Sequence, residues 1–190
     1  RLVLLNKSDL ADETDNNKWI QYFKDKGIIA LKINSKNKQG IKEINNAVQI
    51  ACKEKIERDK KRGIINRPVR AMVVGIPNVG KSTFINAYAG RAAAKTGNKP
   101  GVTKGKQWIR LNKSVELLDT PGILWPKFED QTVGLHLAFI GSINDNILDV
   151  TELAYQLVKL LATTYPKVVV ERYKIEGHED PLQVMYQVAE

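Results

Sequence analysis

The stretch Gly75-Ile76-Pro77-Asn78-Val79-Gly80-Lys81-Ser82-Thr83 decides the fold, because it reads G-x-x-x-x-G-K-S. Its two glycines let the backbone wrap closely around an anion, with the N–H groups pointing inward. Lys81 supplies a charge for the β- and γ-phosphates of a nucleotide, and Ser82 supplies a hydroxyl for Mg²⁺. The stretch therefore predicts a phosphate-binding loop, with residues 78–83 in contact with the nucleotide.

The segments on either side of this loop support the prediction. Residues 70–74 are a short apolar run typical of a buried parallel strand. Residues 84–88 can continue as a helix whose N-terminus faces the phosphates. A glycine-rich turn without a ligand is the alternative, but strand, loop, Lys-Ser and helix in this order favour a nucleotide site.

The charge balance suggests a second, polyanionic partner. The chain has 190 residues, 43% of them hydrophobic, and a formal net charge of +9. This size allows one medium domain with an appendage and a buried core. An excess of positive charge on a nucleotide-binding domain favours nucleic acid as the partner, although a merely soluble basic surface would have the same composition.

Cysteine usage and hydropathy indicate the compartment. Cys52 is the single cysteine, so no intrachain disulfide can form and a reducing environment is expected. It lies on an apolar stripe at helical spacing that starts at Ile41, which predicts a role in the core of one long helix over residues 40–60. No apolar run approaches the ~18 residues of a membrane span.

A second motif follows an apolar run near the start of the chain. Residues 2–5 read as a strand and lead into Asn6-Lys7-Ser8-Asp9, the pattern N-K-x-D. In GTP-binding proteins this Asp accepts hydrogen bonds from the guanine N1–H and exocyclic amine, the Asn supports the loop and meets the purine, and the Lys stem covers the base. Adenine lacks this pair of donors. The alternative is a turn in which Asp9 caps a helix.

The next segments predict a second guanine-contacting loop. Residues 16–26 have an apolar side at helical spacing, and residues 28–33 read as another strand. This strand runs into Asn34-Ser35-Lys36, which matches the S-x-K loop whose backbone N–H holds the guanine O6 in GTPases. The pattern is weak alone, but helix, strand and loop after N-K-x-D are what a βαβ unit requires.

The most basic part of the chain overlaps a predicted switch. Residues 91–113 contain seven lysines and arginines and no acidic residue: Arg91, Lys95, Lys99, Lys104, Lys106, Arg110 and Lys113. Thr103 lies where GTPases place the hydroxyl that completes Mg²⁺ coordination and senses the γ-phosphate. Ordering this loop would position its cations for RNA. A solvated lysine-rich loop is the alternative.

The last nucleotide motif ends a predicted hairpin around Asn112. Residues 108–110 and 115–118 read as its strands, followed by Asp119-Thr120-Pro121-Gly122, the pattern D-x-x-G. Asp119 is expected to hold Mg²⁺ through water, and the Gly122 N–H to meet the γ-phosphate. Lys81, Thr103 and Gly122 are thus the predicted catalytic contacts, and Ser82, Thr103 and Asp119 the predicted Mg²⁺ site.

The order of the motifs is rotated, because ordinary GTPases carry the phosphate loop first and N-K-x-D near the end. The chain resembles the circularly permuted GTPases of the ribosome biogenesis GTPase A family, the YlqF-like large-subunit assembly factors. The residues that carry this resemblance are Asn6-Lys7-Ser8-Asp9, the stretch 75–83, Pro100-Gly101-Val102-Thr103 and the run from Asp119 to Lys127. The resemblance implies a cytoplasmic GTPase that binds the maturing large (50S) ribosomal subunit and leaves after hydrolysis. We expect it to bind rRNA in the GTP state and to act as a monomer.

The resemblance also implies the architecture. We expect a three-layer α/β GTPase domain with a mostly parallel sheet over residues 1–126, and an incomplete all-helical domain over residues 127–190. In ordinary GTPases one strand separates the phosphate-loop strand from the N-K-x-D strand. In a permuted chain that strand must precede the N-K-x-D motif, where this sequence has only residues 1–5. Either a central strand is missing from this sequence or the sheet is built otherwise, and we expect the strand to be missing. We therefore expect an open sheet with two unpaired edges.

Two positions bear on hydrolysis. Small GTPases orient the attacking water with a Gln after D-x-x-G, where this chain has Ile123, so a slow intrinsic rate is expected. Asn78 resembles the K⁺-coordinating Asn of potassium-activated GTPases, although it could equally stabilise the loop by hydrogen bonds. Other readings are an ATP-using P-loop enzyme, a transport or tRNA-modification GTPase, and an RNA-binding module that holds GTP as a structural ligand.

Overall fold

The fold combines short strands with α-helices. The computed structural model describes residues 1–65, 67–95, 97, 105, 107–111, 114–125, 127–144, 148–175, 177 and 179–189. The strands in these residues are β1 (Leu2–Leu5), β2 (Ile29–Lys32), β3 (Val69–Val73), β4 (Gln107–Arg110) and β5 (Val115–Asp119). The helices are α1 (Glu13–Asp25), α2 (Glu43–Ala51), α3 (Lys53–Lys61), α4 (Lys81–Ala89), α5 (Gln131–Phe139), α6 (Val150–Thr164), α7 (Pro166–Tyr173) and α8 (Pro181–Ala189).

The strands form two sheets. β1 and β2 pair in parallel, with Leu2 opposite Ile29. β3, β5 and β4 form the second sheet in that order, in which β3–β5 is parallel and β4–β5 antiparallel. Within the described residues β1 pairs with β2 alone and β3 with β5 alone. The two unpaired edges expected from the rotated motif order are therefore present.

Acidic caps and a proline start several helices. An aspartate precedes α1, α5, α6 and α8, and its carboxylate accepts a hydrogen bond from a backbone N–H of the first turn: Asp12, Asp130, Asp149 and Asp180. Such caps satisfy N–H groups that have no partner within the helix. Pro166 begins α7, where its missing N–H costs nothing. Local chemistry thus accounts for these starts.

One helix prediction is wrong. The segment expected to form a single helix over residues 40–60 forms two helices, α2 and α3, which are separated at Cys52. Cys52 has φ −110° and ψ 10°, and its N–H still closes the end of α2. Because the axis breaks there, the apolar stripe leaves the core: Ile41 and Ile44 are buried, whereas Cys52 is only half-buried and Ala51 is exposed.

A shared hydrophobic core connects the two sheets. Ile33 follows β2, Ile44 lies on α2, Phe84 and Ile85 lie on α4, and Leu117 lies on β5, and all five belong to one buried cluster. Burying a side chain of this size contributes about 1.5–3 kcal/mol to stability. Helix α4, which starts at the end of the phosphate loop, is therefore fixed against both halves of the nucleotide site.

The chain divides into two compact units, Arg1–Leu124 and Trp125–Glu190. The second unit has its own small core, in which Val169, Ile175 and Val184 are buried. In the part of the chain that the structure describes, no helix is long and apolar enough to cross a membrane.

Candidate functional site

The phosphate loop connects β3 to α4 as the sequence predicts. Gly80 is the N-cap of α4 and has φ +90°, a left-handed conformation that glycine adopts without strain. A Cβ atom on Gly80 would lie 2.5 Å from the Asn6 side-chain nitrogen. Position 80 therefore requires glycine for two reasons, its backbone conformation and its contact with Asn6. The loop ends at the N-terminus of α4, where the backbone N–H groups can bind an anion. Thr83 lies in the first turn of that helix.

Lys81 is held by the loop that it belongs to. Its Nζ donates to the carbonyl oxygens of Gly75, at 3.0 Å, and Ile76, at 2.8 Å. Burial lowers the pKa of the Lys81 ammonium, and the nearby Asp119 carboxylate opposes this shift. The charge is thus fixed at the mouth of the loop in a partly desolvated position, where a phosphate would stabilise it.

Ser82 and Asp119 bring two oxygen ligands together. The Ser82 hydroxyl donates to Asp119 Oδ2 at 3.5 Å. Asp119 is only 3% exposed, and its Oδ1 is buried without a hydrogen-bond partner among the described residues. Burial raises the pKa of the Asp119 carboxyl. A buried carboxylate oxygen without a partner beside a hydroxyl fits the oxygen ligands that Mg²⁺ prefers.

The D-T-P-G turn rests on the start of the phosphate loop. The Ile123 N–H donates to the Gly75 carbonyl at 3.4 Å. A Cβ atom on Gly122 would lie 2.5 Å from the Pro77 Cα, so the two backbones touch and only glycine fits there. The turn is therefore next to the position expected for the γ-phosphate. Thr103, the other predicted γ-phosphate contact, lies outside the described residues, as do Asn112 and residues 98–102.

Asn6 connects three loops. Its side-chain nitrogen donates to the Val79 carbonyl at 2.9 Å, across 73 positions of sequence. Its side-chain oxygen accepts from the Ser35 backbone N–H, at 3.1 Å, and from the Ser35 hydroxyl, at 2.8 Å. Lys7 adds a bond from its Nζ to the Asn78 carbonyl at 2.8 Å. The N-K-S-D loop, the S-K loop and the phosphate loop thus meet at one place.

Ser8 and Asn16 fix the backbone that carries Asp9. Both the N–H and the hydroxyl of Ser8 donate to the Ile33 carbonyl. Asn16, which is 5% exposed, donates to the Ser8 carbonyl at 3.0 Å. The Asp9 side chain is exposed and makes no hydrogen bond within the described residues, so its carboxylate can receive a base. Sequence reasoning missed Asn16, although its spacing from Ile20 and Phe23 places an amide on the inward face of α1.

The S-K loop is closed by its own hydrogen bonds. The backbones of Asn34 and Gln39 exchange two bonds, of 3.0 and 3.1 Å. The Asn34 side chain accepts from the Lys36 N–H at 2.9 Å. A Cβ atom on Gly40 would lie 2.4 Å from the Lys32 carbonyl oxygen. Because Asn6 already holds the Ser35 N–H, a guanine O6 would have to share that donor with the Asn6 side chain.

Three features define a P-loop GTPase fold in permuted order. The phosphate loop connects a strand to a helix, and the D-x-x-G turn ends the adjacent strand. The N-K-x-D loop, which comes first in the sequence, is hydrogen-bonded to the S-K loop and to the phosphate loop. A protein-family model described as "50S ribosome-binding GTPase" matches residues 70–185. The chain therefore belongs to the 50S ribosome-binding GTPase family.

Curated relatives agree with this assignment. The chain is 51% identical to Ribosome biogenesis GTPase A of Bacillus cereus over 92% of its length, which corresponds to 59% of that protein. It is 46% identical to the Bacillus licheniformis protein of the same name, over 98% of this chain and 66% of that one. The chain thus spans roughly three fifths of the length of these relatives.

The fold matches that of a solved GTPase. The GDP-bound structure of TM YlqF covers 99% of this chain and 78% of its own, with a TM-score of 0.58 and 24% identity. The GNP-bound YlqF of T. maritima gives a TM-score of 0.57. The three-layer, permuted GTPase fold expected from the motifs is thereby confirmed.

Proposed function

We propose that this chain binds GTP and GDP, hydrolyses GTP, and acts in assembly of the large (50S) ribosomal subunit by binding its rRNA in the GTP state. In this proposal residues 1–126 are the GTPase domain and residues 127–190 belong to a helical domain. Release from the subunit follows hydrolysis. The family and the names of the relatives support the ribosomal role.

The observation that carries the nucleotide proposal is the position of Asn6. Its three hydrogen bonds to Val79 and Ser35 bring the base-reading loops against the phosphate loop. With the exposed Asp9 carboxylate next to this junction, one guanine nucleotide can reach both ends of the site. The expected contacts are residues 6–9, 34–36 and 78–83, together with Gly122.

The residues of the phosphate side fit a divalent cation. Ser82 and Asp119 would hold Mg²⁺, together with Thr103. The Asp119 Oδ1 atom is buried and has no hydrogen-bond partner among the described residues, so it is available for this role. When bound, the ion neutralises charge on the β- and γ-phosphates. A K⁺ ion beside Asn78 belongs to the same proposal, and equal GTP turnover in KCl and NaCl would contradict it.

The residue after the D-T-P-G turn bears on the rate. Ile123 is 73% exposed and has no group that could hold a water by hydrogen bonding. We therefore expect slow intrinsic hydrolysis that the ribosomal subunit accelerates. The same observation favours a second candidate function, in which the chain is an RNA-binding module and GTP only a structural ligand. That candidate predicts no phosphate release with subunits present.

Phosphate release from GTP, measured with and without purified large ribosomal subunits, tests the proposal. We expect the subunit to raise the rate, and tight GDP binding that ATP does not displace. The Asp9→Ala variant should lose the preference for guanine, because it removes the acceptor for two donors of the base. An unchanged rate with subunits would contradict the ribosomal role, and displacement of GDP by ATP would contradict the guanine site.

A further inference from the structure

The Thr120 side chain links the two strands of the phosphate side just beyond their last paired residues. Val73 lies opposite Asp119 at the end of the β3–β5 ladder. Thr120 follows Asp119, is 5% exposed, and donates from its hydroxyl to the Val73 carbonyl at 2.6 Å. The bond spans 47 positions of sequence, at the point where one strand enters the phosphate loop and the other enters the D-T-P-G turn.

The same residue directly follows the carboxylate in sequence. Asp119 is 3% exposed, its Oδ2 accepts from the Ser82 hydroxyl at 3.5 Å, and its Oδ1 has no hydrogen-bond partner among the described residues. Thr120 thus anchors the chain to the Val73 carbonyl one residue after the Asp119 carboxylate. Its hydroxyl fixes the peptide that aims the carboxylate toward Ser82.

We propose that Thr120 is a positioning residue for the divalent cation, and that its hydroxyl bond to Val73 sets the place of Asp119 relative to Ser82. This inference rests on the proposed guanine-nucleotide and Mg²⁺ site. It requires a side chain that donates a hydrogen bond. Valine has the shape of threonine without the donor, whereas serine keeps the donor. Losing the donor leaves the Val73 carbonyl without this buried partner.

The experiment measures release of a fluorescent GDP from the 190-residue chain in EDTA and over a Mg²⁺ titration. In Thr120→Val, the Mg²⁺ concentration that half-maximally slows release should rise about tenfold, as expected for one lost hydrogen bond. Thr120→Ser should stay within about twofold of the unmodified chain. The release rate in EDTA should be the same for all three, because the hydroxyl acts through the cation.

Two further variants complete the test. Thr163→Val removes a bond of the same kind, from a hydroxyl to the Lys159 carbonyl at 2.8 Å on the exposed side of α6, and should change nothing. If Thr120→Val does not fold, Thr120→Ala must give the same rise in the Mg²⁺ requirement relative to Thr120→Ser.

An unchanged Mg²⁺ requirement in the variants that lack the hydroxyl overturns the inference. The inference is also overturned if Thr120→Ser raises the Mg²⁺ requirement as much as Thr120→Val does. The same holds if Thr120→Val speeds GDP release in EDTA as much as it does with Mg²⁺ present. Absence of GDP binding by the unmodified chain would instead contradict the proposed function.

Discussion

The two halves of the nucleotide site differ in how well their polar groups are satisfied. On the base side, residues 6–9 and 34–40, the side chains of Asn6, Ser8 and Asn16 donate to backbone carbonyls. The Asn34 side chain there accepts from a backbone N–H. The phosphate side, residues 75–83 and 119–122, contains a buried carboxylate oxygen that lacks a partner among the described residues. Among the described residues, the buried polar side-chain atoms of the base side are paired within the protein, whereas the phosphate side leaves one buried oxygen that a ligand could pair.

The charged groups show the same contrast. Burial lowers the pKa of Lys81 and raises the pKa of Asp119, so both charges lie where protein and solvent stabilise them poorly. A phosphate and a cation would stabilise them. The difference teaches that base recognition is preorganised in this fold, whereas binding energy is expected to come mainly from the phosphate side.

The largest effect is expected at Lys81. Lys81→Ala should weaken GDP binding by about 100-fold or more, because it removes charge-assisted hydrogen bonds to the phosphates worth roughly 3 kcal/mol. Titration with fluorescent GDP measures this, with Lys61→Ala on the exposed basic end of α3 as the matched control. If Lys81→Ala weakened GDP binding by less than about fivefold, most of the binding energy would come from the base side, contrary to our expectation.

An effect of intermediate size, on the free energy of unfolding, is expected when each of the two glycines that flank α4 is changed to alanine. Gly80 and Gly90 both have positive φ, but a Cβ atom at Gly80 would meet Asn6, whereas nothing lies within 4 Å of one at Gly90. Gly90→Ala should cost about 1 kcal/mol of left-handed strain. Gly80→Ala should cost about 1 kcal/mol more, because it also breaks the Asn6–Val79 bond.

Urea unfolding of both variants measures that difference as a shift of the midpoint. Both glycines flank the same helix in a left-handed conformation, Gly80 as its N-cap and Gly90 as its C-cap. Of the two, only Gly80 would bring a Cβ atom against another side chain. Equal midpoints would mean that Asn6 does not hold the base side against the phosphate side.

The smallest effect is expected at Asn16. Asn16→Leu removes the donor to the Ser8 carbonyl and loosens the backbone that carries Asp9, so GDP affinity should fall about three- to tenfold. Inosine diphosphate lacks the exocyclic amine that Asp9 is expected to read. Its affinity should fall less, and the GDP-to-inosine-diphosphate ratio measures this. Asn17→Leu, one position along on the exposed face, is the control, and an unchanged ratio in Asn16→Leu would contradict the role.

Predictions from the sequence succeeded where a local pattern sufficed. The runs at residues 2–5 and 70–74 and the turn residues around them predicted β1, β3 and the loops that follow. The helix over residues 40–60 failed, because its apolar spacing continued through Cys52 whereas the backbone did not. The spacing of apolar residues shows which side chains could share one face of a helix. It does not show whether the backbone continues as a single helix.

The sequence by itself determined the class of site, since Gly80, Lys81 and Ser82, and likewise Asn6 to Asp9, owe their roles to residue type and close spacing. The rotated order of those motifs was also readable without coordinates. Only the tertiary structure decided that Asn6 reaches Val79, that Asp119 is left with a buried oxygen, and that Thr120 reaches Val73. The two hydrogen bonds join positions 73 and 47 apart in sequence, and no local pattern encodes which distant backbone group a side chain will meet.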